Sequence, residues 1–204
     1  DSYAIVDRAI DAGINFLDTA NVYSRGRSEE VTGEALKRNG KRSRIVLATK
    51  VHGRMADDDP NAAGPSRRHI IEQCEASLER LQTDYIDIYQ LHNPRIDTLE
   101  KDEVFETLEQ LKAEGKIRHY GCALGPDIGW FEEGESSMKE RHVDSLQIIY
   151  SILEQDPAKD FFKIAEENEI GLFSRVPHAS EALTGKYTEA PTFDESDHRS
   201  HRRI

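Results

Sequence analysis

The stretch YIDIYQLH, residues 85–92, is an apolar run of strand length that ends in a histidine. A helical pattern precedes it, from Ser66 to about Leu81, with its apolar positions on one stripe. A second helical pattern follows it, from Asp102 to about Glu114. A buried strand between two helices is the repeating unit of a parallel α/β sheet. The stretch therefore predicts a fold of alternating strands and helices.

The same alternation extends to both ends of the chain. Strand-like runs start near residues 14, 44, 85, 117, 145 and 170, and further helices are predicted over residues 2–12, 28–39 and 157–168. Right-handed crossovers place the helices of such units outside a curved parallel sheet. A closed eight-stranded barrel typically takes about 250 residues, and the chain has 204. We therefore predict an α/β fold with about six βα units in a curved parallel sheet, and the periodicity does not show whether that sheet closes into a barrel.

Domain and helix boundaries follow from composition and capping residues. Residues 1–187 are predicted to form one partial barrel domain, and residues 188–204 a polar tail that ends in HRSHRRI. One helix near Met138 is expected in the otherwise irregular stretch 125–143. The expected helix caps are Ser2, Ser28 and Ser66 at N-termini and Gly13, Gly40 and Gly115 at C-termini.

Composition excludes several classes of function. With 27 basic and 39 acidic residues, the net charge is −12, whereas a nucleic-acid binder normally carries a basic surplus. No apolar run reaches the roughly 18 residues of a membrane-spanning helix. Cys74 and Cys122 form no C-x-x-C pair, which favours a reducing compartment and neither a disulfide framework nor a zinc site. We expect a cytoplasmic protein without nucleic-acid or membrane partners; its oligomeric state is not specified by the sequence.

Four polar side chains lie at or just after the downstream ends of strand-like runs. Asp18 ends the first run and Tyr23 follows it, Lys50 ends the second and His92 ends the third. In a barrel of parallel strands this end carries the active site. Because Asp18 and Lys50 end neighbouring strands, we expect them to form a carboxylate–ammonium pair.

These groups suit proton transfer to a carbonyl oxygen. Tyr23 is the predicted proton donor, because a neighbouring ammonium makes a phenol a better acid at neutral pH. His92 is predicted to donate a hydrogen bond to the substrate oxygen and to stabilise developing charge. The combination of a carboxylate, a phenol, an ammonium and an imidazole at one barrel end predicts an enzyme.

Four segments resemble the aldo-keto reductase superfamily in order and in spacing. They are GINFLDTANVY at 13–23, IVLATKVHG at 45–53, DYIDIYQLHNP at 84–94 and GKIRHYGCALG at 115–125. The resemblance covers roughly residues 2–187. It implies a (β/α)8 TIM barrel, here incomplete with about six βα units, whose catalytic tetrad falls on Asp18, Tyr23, Lys50 and His92. It also implies reduction of an aldehyde or ketone to an alcohol, with the tyrosine protonating the oxygen.

The resemblance implies a nicotinamide cofactor, NADPH with NADH possible, and no metal. Gln147 matches the family's glutamine that holds the cofactor's carboxamide. Where the family has a Ser-Asn pair for the same group, this chain has Ala123 and Leu124, which removes two polar side chains. Arg175 lies near the position where many members stack an aromatic residue on the nicotinamide. We expect it either to meet the pyrophosphate or to be structural.

The resemblance also implies that a first strand precedes Asp1. It further implies that a last strand and the site for the adenosine 2′-phosphate follow Ile204. The sequence therefore specifies neither the choice between NADPH and NADH nor the carbonyl substrate.

Other functions fit part of the pattern. A nucleotide-binding redox-sensing or regulatory module of the same superfamily would explain the missing Ser-Asn pair. A Lys-dependent aldolase would use Lys50 to form a Schiff base. A metal hydrolase is disfavoured, because the sequence contains no H-x-H or H-E-x-x-H pattern.

Overall fold

Six parallel strands alternate with helices in the part of the chain that the structure describes. The computed structural model describes residues 2–125, 130–156, 158–187, 189, 191–197 and 200. The strands are β1 Phe16–Asp18, β2 Val46–Val51, β3 Ile86–His92, β4 Ile117–Ala123, β5 Ser145–Ile149 and β6 Gly171–Arg175. The helices are α1 Ser2–Asp11, α2 Arg27–Asn39, α3 Arg67–Leu81, α4 Ile96–Leu99, α5 Asp102–Ala113, α6 Phe131–Lys139 and α7 Ala158–Glu167.

The strands form one sheet in the order β1-β2-β3-β4-β5-β6, and every neighbouring pair is parallel. The sheet is strongly curled. Its first and sixth strands come close together, and the rings of Phe16 on β1 and Phe173 on β6 lie 4.7 Å apart between centroids. A flat sheet would separate its first and sixth strands by about 24 Å, at about 4.8 Å per spacing. The predicted α/β fold with six strands of an incomplete barrel is therefore confirmed.

The core lies between the sheet and the helices that cover it. Fully buried side chains from strands and helices contact one another there, including Leu47, Tyr89, Leu108 and Phe161. Helices α2 and α3 approach closely at Gly33, where a Cβ atom would lie 2.5 Å from the carbonyl oxygen of Arg80. The two helices therefore pack backbone against backbone, which fixes α2 on the outside of the sheet.

One predicted helix cap is wrong and another is confirmed. Helix α2 begins at Arg27, with Gly26 as N-cap at φ 91° and without a side-chain cap. Ser28 instead shares a hydrogen bond of 2.8 Å with the Thr19 hydroxyl. The chain enters α2 through a tight turn in left-handed backbone conformation, and this displaces the cap by two positions. Ser66 caps α3 as predicted, because its Oγ accepts a hydrogen bond from the backbone N–H of His69.

Two further elements differ in detail from the prediction. The helix expected near Met138 is α6, a regular helix from Phe131 to Lys139, and the short helix α4 was not predicted. In the final stretch HRSHRRI, all residues except Ser200 lie outside the described residues. Among the described residues, no helix has the length and apolar character needed to cross a membrane.

Candidate active site

The four candidate residues meet at the carboxyl ends of three adjacent strands. Asp18 is the last residue of β1 and pairs in register with Ala48, two residues before Lys50 on β2. Lys50 in turn pairs with Gln90, two residues before His92 on β3. Side chains two residues apart on a strand point to the same face. Asp18, Lys50 and His92 therefore share the inner face of the curled sheet, where the Phe16 ring also lies.

Lys50 is the centre of this group. It is 0% exposed, and its Nζ donates a hydrogen bond of 2.6 Å to Asp18 Oδ2 and one of 2.7 Å to the carbonyl oxygen of Thr19. Its ammonium also lies 5.1 Å from the centre of the Tyr23 ring. A buried ammonium requires such partners, because removing a charge from water is costly. The expected pair of Asp18 and Lys50 is formed in the structure.

Tyr23 stands on the solvent side of this pair. It begins the turn Tyr23–Gly26, in which Ser24 has a φ of 47°, and 40% of the residue is exposed. Its ring meets the ring of His92 edge to face, with 5.8 Å between centroids and an interplanar angle of 82°. The phenol thus lies between an ammonium and an imidazole and remains accessible from outside.

His92 is held in its neutral form. Burial, and then the positive charges of Lys50 and Arg175, lower the pKa of His92 from its ordinary value of 6.5 to about 4. A neutral imidazole can donate one hydrogen bond and accept another. At neutral pH it therefore brings a hydrogen-bond donor to the mouth of the barrel without adding a second cation beside Lys50.

We expect the ring signals of His92 to stay unchanged in an NMR titration from pH 7.5 to pH 5.5. The unfolded chain binds a proton at this residue between about pH 6.5 and pH 4 and the folded chain does not. The contribution of His92 to stability is therefore lost as the pH falls through that window. In Lys50→Met the midpoint is expected to rise, because a neighbouring positive charge is removed. A midpoint near 6.5 in the unmodified chain would contradict this reading.

The positions expected to hold a cofactor line the same edge of the sheet. His92 pairs with Ala123 on β4, and Ala123 pairs with Gln147 on β5. Ala123 and Leu124 are buried, and Gln147 is 7% exposed. The guanidinium of Arg175, at the end of β6, donates a hydrogen bond of 3.1 Å to the carbonyl oxygen of Leu124. These residues continue the edge formed by the four candidate side chains.

Sequence reasoning missed three groups at this edge. They are Gln90, which contacts Asp18, the backbone carbonyl of Thr19, which contacts Lys50, and the side chain of Asn93. Asn93 Oδ1 is buried and has no hydrogen-bond partner among the described residues. A signal for Gln90 was present, because it is a polar residue two positions before His92 in an apolar strand and therefore shares its face.

Nothing in the described part of the chain suggests metal or thiol chemistry. Its residues contain no group of three or more His, Cys, Asp or Glu side chains placed to hold a metal ion. Cys74 and Cys122 are both free and buried. Burial raises the pKa of each thiol to about 12, which keeps both cysteines in the unreactive protonated form.

Comparison with known proteins gives consistent matches. Residues 1–203 match the family model described as Aldo/keto reductase family. The chain is 38% identical over 185 residues to Uncharacterized oxidoreductase YqkF of Bacillus subtilis (strain 168), which covers 90% of this chain and 58% of that protein. It is 36% identical over 204 residues to Aldo-keto reductase YhdN of the same organism, and this match covers 98% of this chain and 59% of that protein. A third relative is a Probable voltage-gated potassium channel subunit beta of Arabidopsis thaliana. It is 34% identical over 197 residues, and the match covers 88% of this chain and 55% of that protein.

Solved structures of aldo-keto reductases are also similar to this chain. The holo form of aldo-keto reductase AKR11C1 from Bacillus halodurans superposes with a TM-score of 0.78 at 35% identity, over 97% of this chain and 63% of that one. An aldo/keto reductase from Klebsiella pneumoniae in complex with NADP and acetate gives a TM-score of 0.72 at 30% identity, over 90% of this chain and 60% of that one. The chain thus spans less than two thirds of the length of the relatives it matches.

Proposed function

The chain belongs to the aldo/keto reductase family, and from this premise we propose that it is the catalytic part of an NADPH-dependent oxidoreductase that reduces an aldehyde or ketone to an alcohol. The observation that carries the proposal is the arrangement around Lys50. Its ammonium is fixed by Asp18 and lies 5.1 Å from the centre of the Tyr23 ring. A phenol beside a buried cation, open to a ligand on its other side, is suited to give a proton to a carbonyl oxygen.

Each of the four side chains has a separate task in this proposal. Tyr23 is the general acid, and Lys50 stabilises the phenolate that remains after proton transfer. Asp18 holds the ammonium in place through Oδ2. His92, which is neutral at physiological pH because its pKa is about 4, donates a hydrogen bond to the carbonyl oxygen and orients it towards the phenol.

The residues at the cofactor positions fit a nicotinamide ring only in part. Ala123 and Leu124 offer no polar side chain for its carboxamide, whereas Gln147 does. Asn93 Oδ1, which is buried and lacks a partner among the described residues, is an acceptor that a carboxamide N–H would satisfy. The Asn93 backbone N–H donates a hydrogen bond of 2.8 Å to the carbonyl oxygen of Ala123. Asn93 therefore adjoins Ala123, one of the two positions at which the family has its Ser-Asn pair. When bound, the cofactor supplies the hydride that adds to the carbonyl carbon.

NADPH is the cofactor we propose, because a structural relative carries NADP in its complex; NADH stays the alternative. Arg175 contributes positive charge at the same edge and is proposed to face the cofactor's phosphates. The expected location in the cytoplasm also stays a prediction, and it is supported by two free, buried cysteines.

Titration of the purified chain with NADPH, followed by nicotinamide fluorescence, tests the cofactor site. We expect saturable binding that is about 2- to 12-fold weaker in Gln147→Leu, since a hydrogen bond to a neutral amide contributes about 0.5–1.5 kcal/mol. Gln155→Leu, at an exposed position, is the matched control and is expected to bind like the unmodified chain. A chain that binds neither NADPH nor NADH at millimolar concentration would overturn the proposed cofactor site.

A regulatory role is the second candidate function. It is favoured by the relative named as a probable potassium channel beta subunit and by the apolar residues at positions 123 and 124. Tight NADPH binding without turnover over a broad panel of aldehydes and ketones would support this role against the reductase. An aldolase is disfavoured, because the Lys50 nitrogen is engaged with Asp18 and Thr19, whereas Schiff-base formation needs a free amine.

A further inference from the structure

Gln90 is a buried polar residue in the middle of strand β3. It is 0% exposed and pairs in register with Lys50 on β2. Its Nε2 donates a hydrogen bond of 3.2 Å to Asp18 Oδ1. Its Oε1 is buried and has no hydrogen-bond partner among the described residues.

Asp18 is therefore held at both of its oxygens. Oδ2 accepts from Lys50 at 2.6 Å, and Oδ1 accepts from Gln90 at 3.2 Å. The Asp18 side chain is 27% exposed, so water competes for the carboxylate. Without Gln90, Asp18 has Lys50 as its one side-chain partner among the described residues, so its orientation is no longer fixed from both sides. Lys50 would then keep only the Thr19 carbonyl as a fixed acceptor.

Stability alone does not explain a glutamine at this position. A buried carbonyl oxygen without a partner destabilises the folded state, and an apolar side chain of similar length would avoid that cost. Tyr89 and Leu91, the adjacent residues on the strand, point to the opposite face and belong to the apolar core there, whereas Gln90 shares the inner face with Lys50. Among the described residues, the one side-chain hydrogen bond of Gln90 is directed at Asp18, so this contact accounts for the glutamine better than its contribution to stability does.

We propose that Gln90 is a positioning residue for the reduction, acting through Asp18 to fix the ammonium of Lys50 beside Tyr23. The inference rests on the proposed function and adds a residue to it. Gln90 does not touch the reacting atoms in this scheme. Its effect is transmitted by two successive hydrogen bonds, from Gln90 to Asp18 and from Lys50 to Asp18.

The test replaces Gln90 with methionine, which keeps the length of the side chain and removes both polar atoms. Gln90→Met is expected to lower kcat for carbonyl reduction about 10-fold, the equivalent of one hydrogen bond to a charged group. The Kd for NADPH is expected to be unchanged, and the Tm to be equal or higher because the unsatisfied oxygen is gone. Gln155→Met, at an exposed position, is the matched control and is expected to change neither kcat nor Tm.

A second arm separates positioning from a general packing effect. In an Asp18→Asn background, Gln90→Met is expected to lower kcat by less than about 2-fold, because residues that act as one unit have non-additive effects. An equal loss in both backgrounds, or a loss of kcat accompanied by a lower Tm, would overturn the inference. A kcat of Gln90→Met equal to that of the unmodified chain would also overturn the inference about Gln90, and the reductase assignment would then still stand. If the unmodified chain binds NADPH and reduces no carbonyl compound, the proposed function fails and the role of Gln90 in it falls too.

Discussion

Tyr23→Phe is expected to lower kcat for carbonyl reduction by roughly 10²–10⁴-fold, the usual contribution of general acid catalysis. The change removes only the hydroxyl. The ring that remains keeps its contact with the Lys50 ammonium and its edge-to-face contact with His92. We therefore expect the folded structure, the Tm and the Kd for NADPH to be unchanged. The measurement is the initial rate of NADPH oxidation with a panel of aldehydes and ketones.

A matched tyrosine gives the control for this variant. The hydroxyl of Tyr3, on helix α1, donates a hydrogen bond to Glu34 on helix α2, outside the sheet. Tyr3→Phe is expected to leave kcat unchanged. Full activity in a correctly folded Tyr23→Phe would exclude Tyr23 as the acid and would leave Lys50 and His92 as proton donors near the site.

Glu29→Ala is expected to reduce the free energy of unfolding by about 3–5 kcal/mol, the usual cost of breaking a buried ion pair on one side. Glu29 is 0% exposed. Its Oε2 accepts a hydrogen bond of 2.6 Å from Arg80 Nε, and its Oε1 accepts one of 2.5 Å from the Thr49 hydroxyl. Without the carboxylate, the guanidinium of Arg80, whose side chain is only 20% exposed, is left without its counter-charge.

Urea unfolding of three variants checks this prediction. Glu30→Ala is the control on the next residue of α2, because Glu30 pairs with Arg27 at the surface, and it is expected to have a much smaller effect. The double change of Glu29→Leu with Arg80→Leu is expected to recover most of the stability, because it removes both charges together. If Glu29→Ala unfolds at the same urea concentration as the unmodified chain, the pair contributes no net stability.

The Glu29 pair also bears on the active site. Helix α2 begins immediately after the turn that carries Tyr23, and Thr49 immediately precedes Lys50 on β2. The carboxylate of Glu29 thus ties the element that presents the phenol to the strand that presents the ammonium. A Cβ atom at Gly26 would lie 2.8 Å from Arg80 Cδ, so the turn also lies directly against the partner of Glu29.

The sequence predicts the sheet and the meeting of the four candidate residues, because both depend on local pattern. Apolar runs between helical stripes identify the strands, and parallel strands bring their carboxyl ends to one edge. Asp18, Lys50 and His92 are each the last or nearly the last residue of such a run. Their meeting therefore follows from strand order alone, before any side-chain contact is considered.

What the sequence did not predict depends on contacts between distant segments. The hydrogen bond from Gln90 to Asp18 joins β3 to β1, strands that are not neighbours in the sheet. It forms only because the sheet is curled, and no local pattern encodes that curvature. The cap of α2 failed for a related reason, since Ser24 adopts a left-handed conformation that serine rarely takes. That conformation is imposed by the packing of the turn.

The contact of Phe16 with Phe173 has a consequence for how the chain reaches its native state. The two rings belong to the first and last strands of the sheet, so the loop that their meeting closes runs from residue 16 to residue 173, most of the 204-residue chain. The entropy lost in closing a loop grows with its length, and pairings between remote segments slow folding. We therefore expect the contact between the two rings to form late in folding, after the intervening βα units. Asp18, Lys50 and His92 lie on β1, β2 and β3 and meet without this step; closure encloses the inner face that they share.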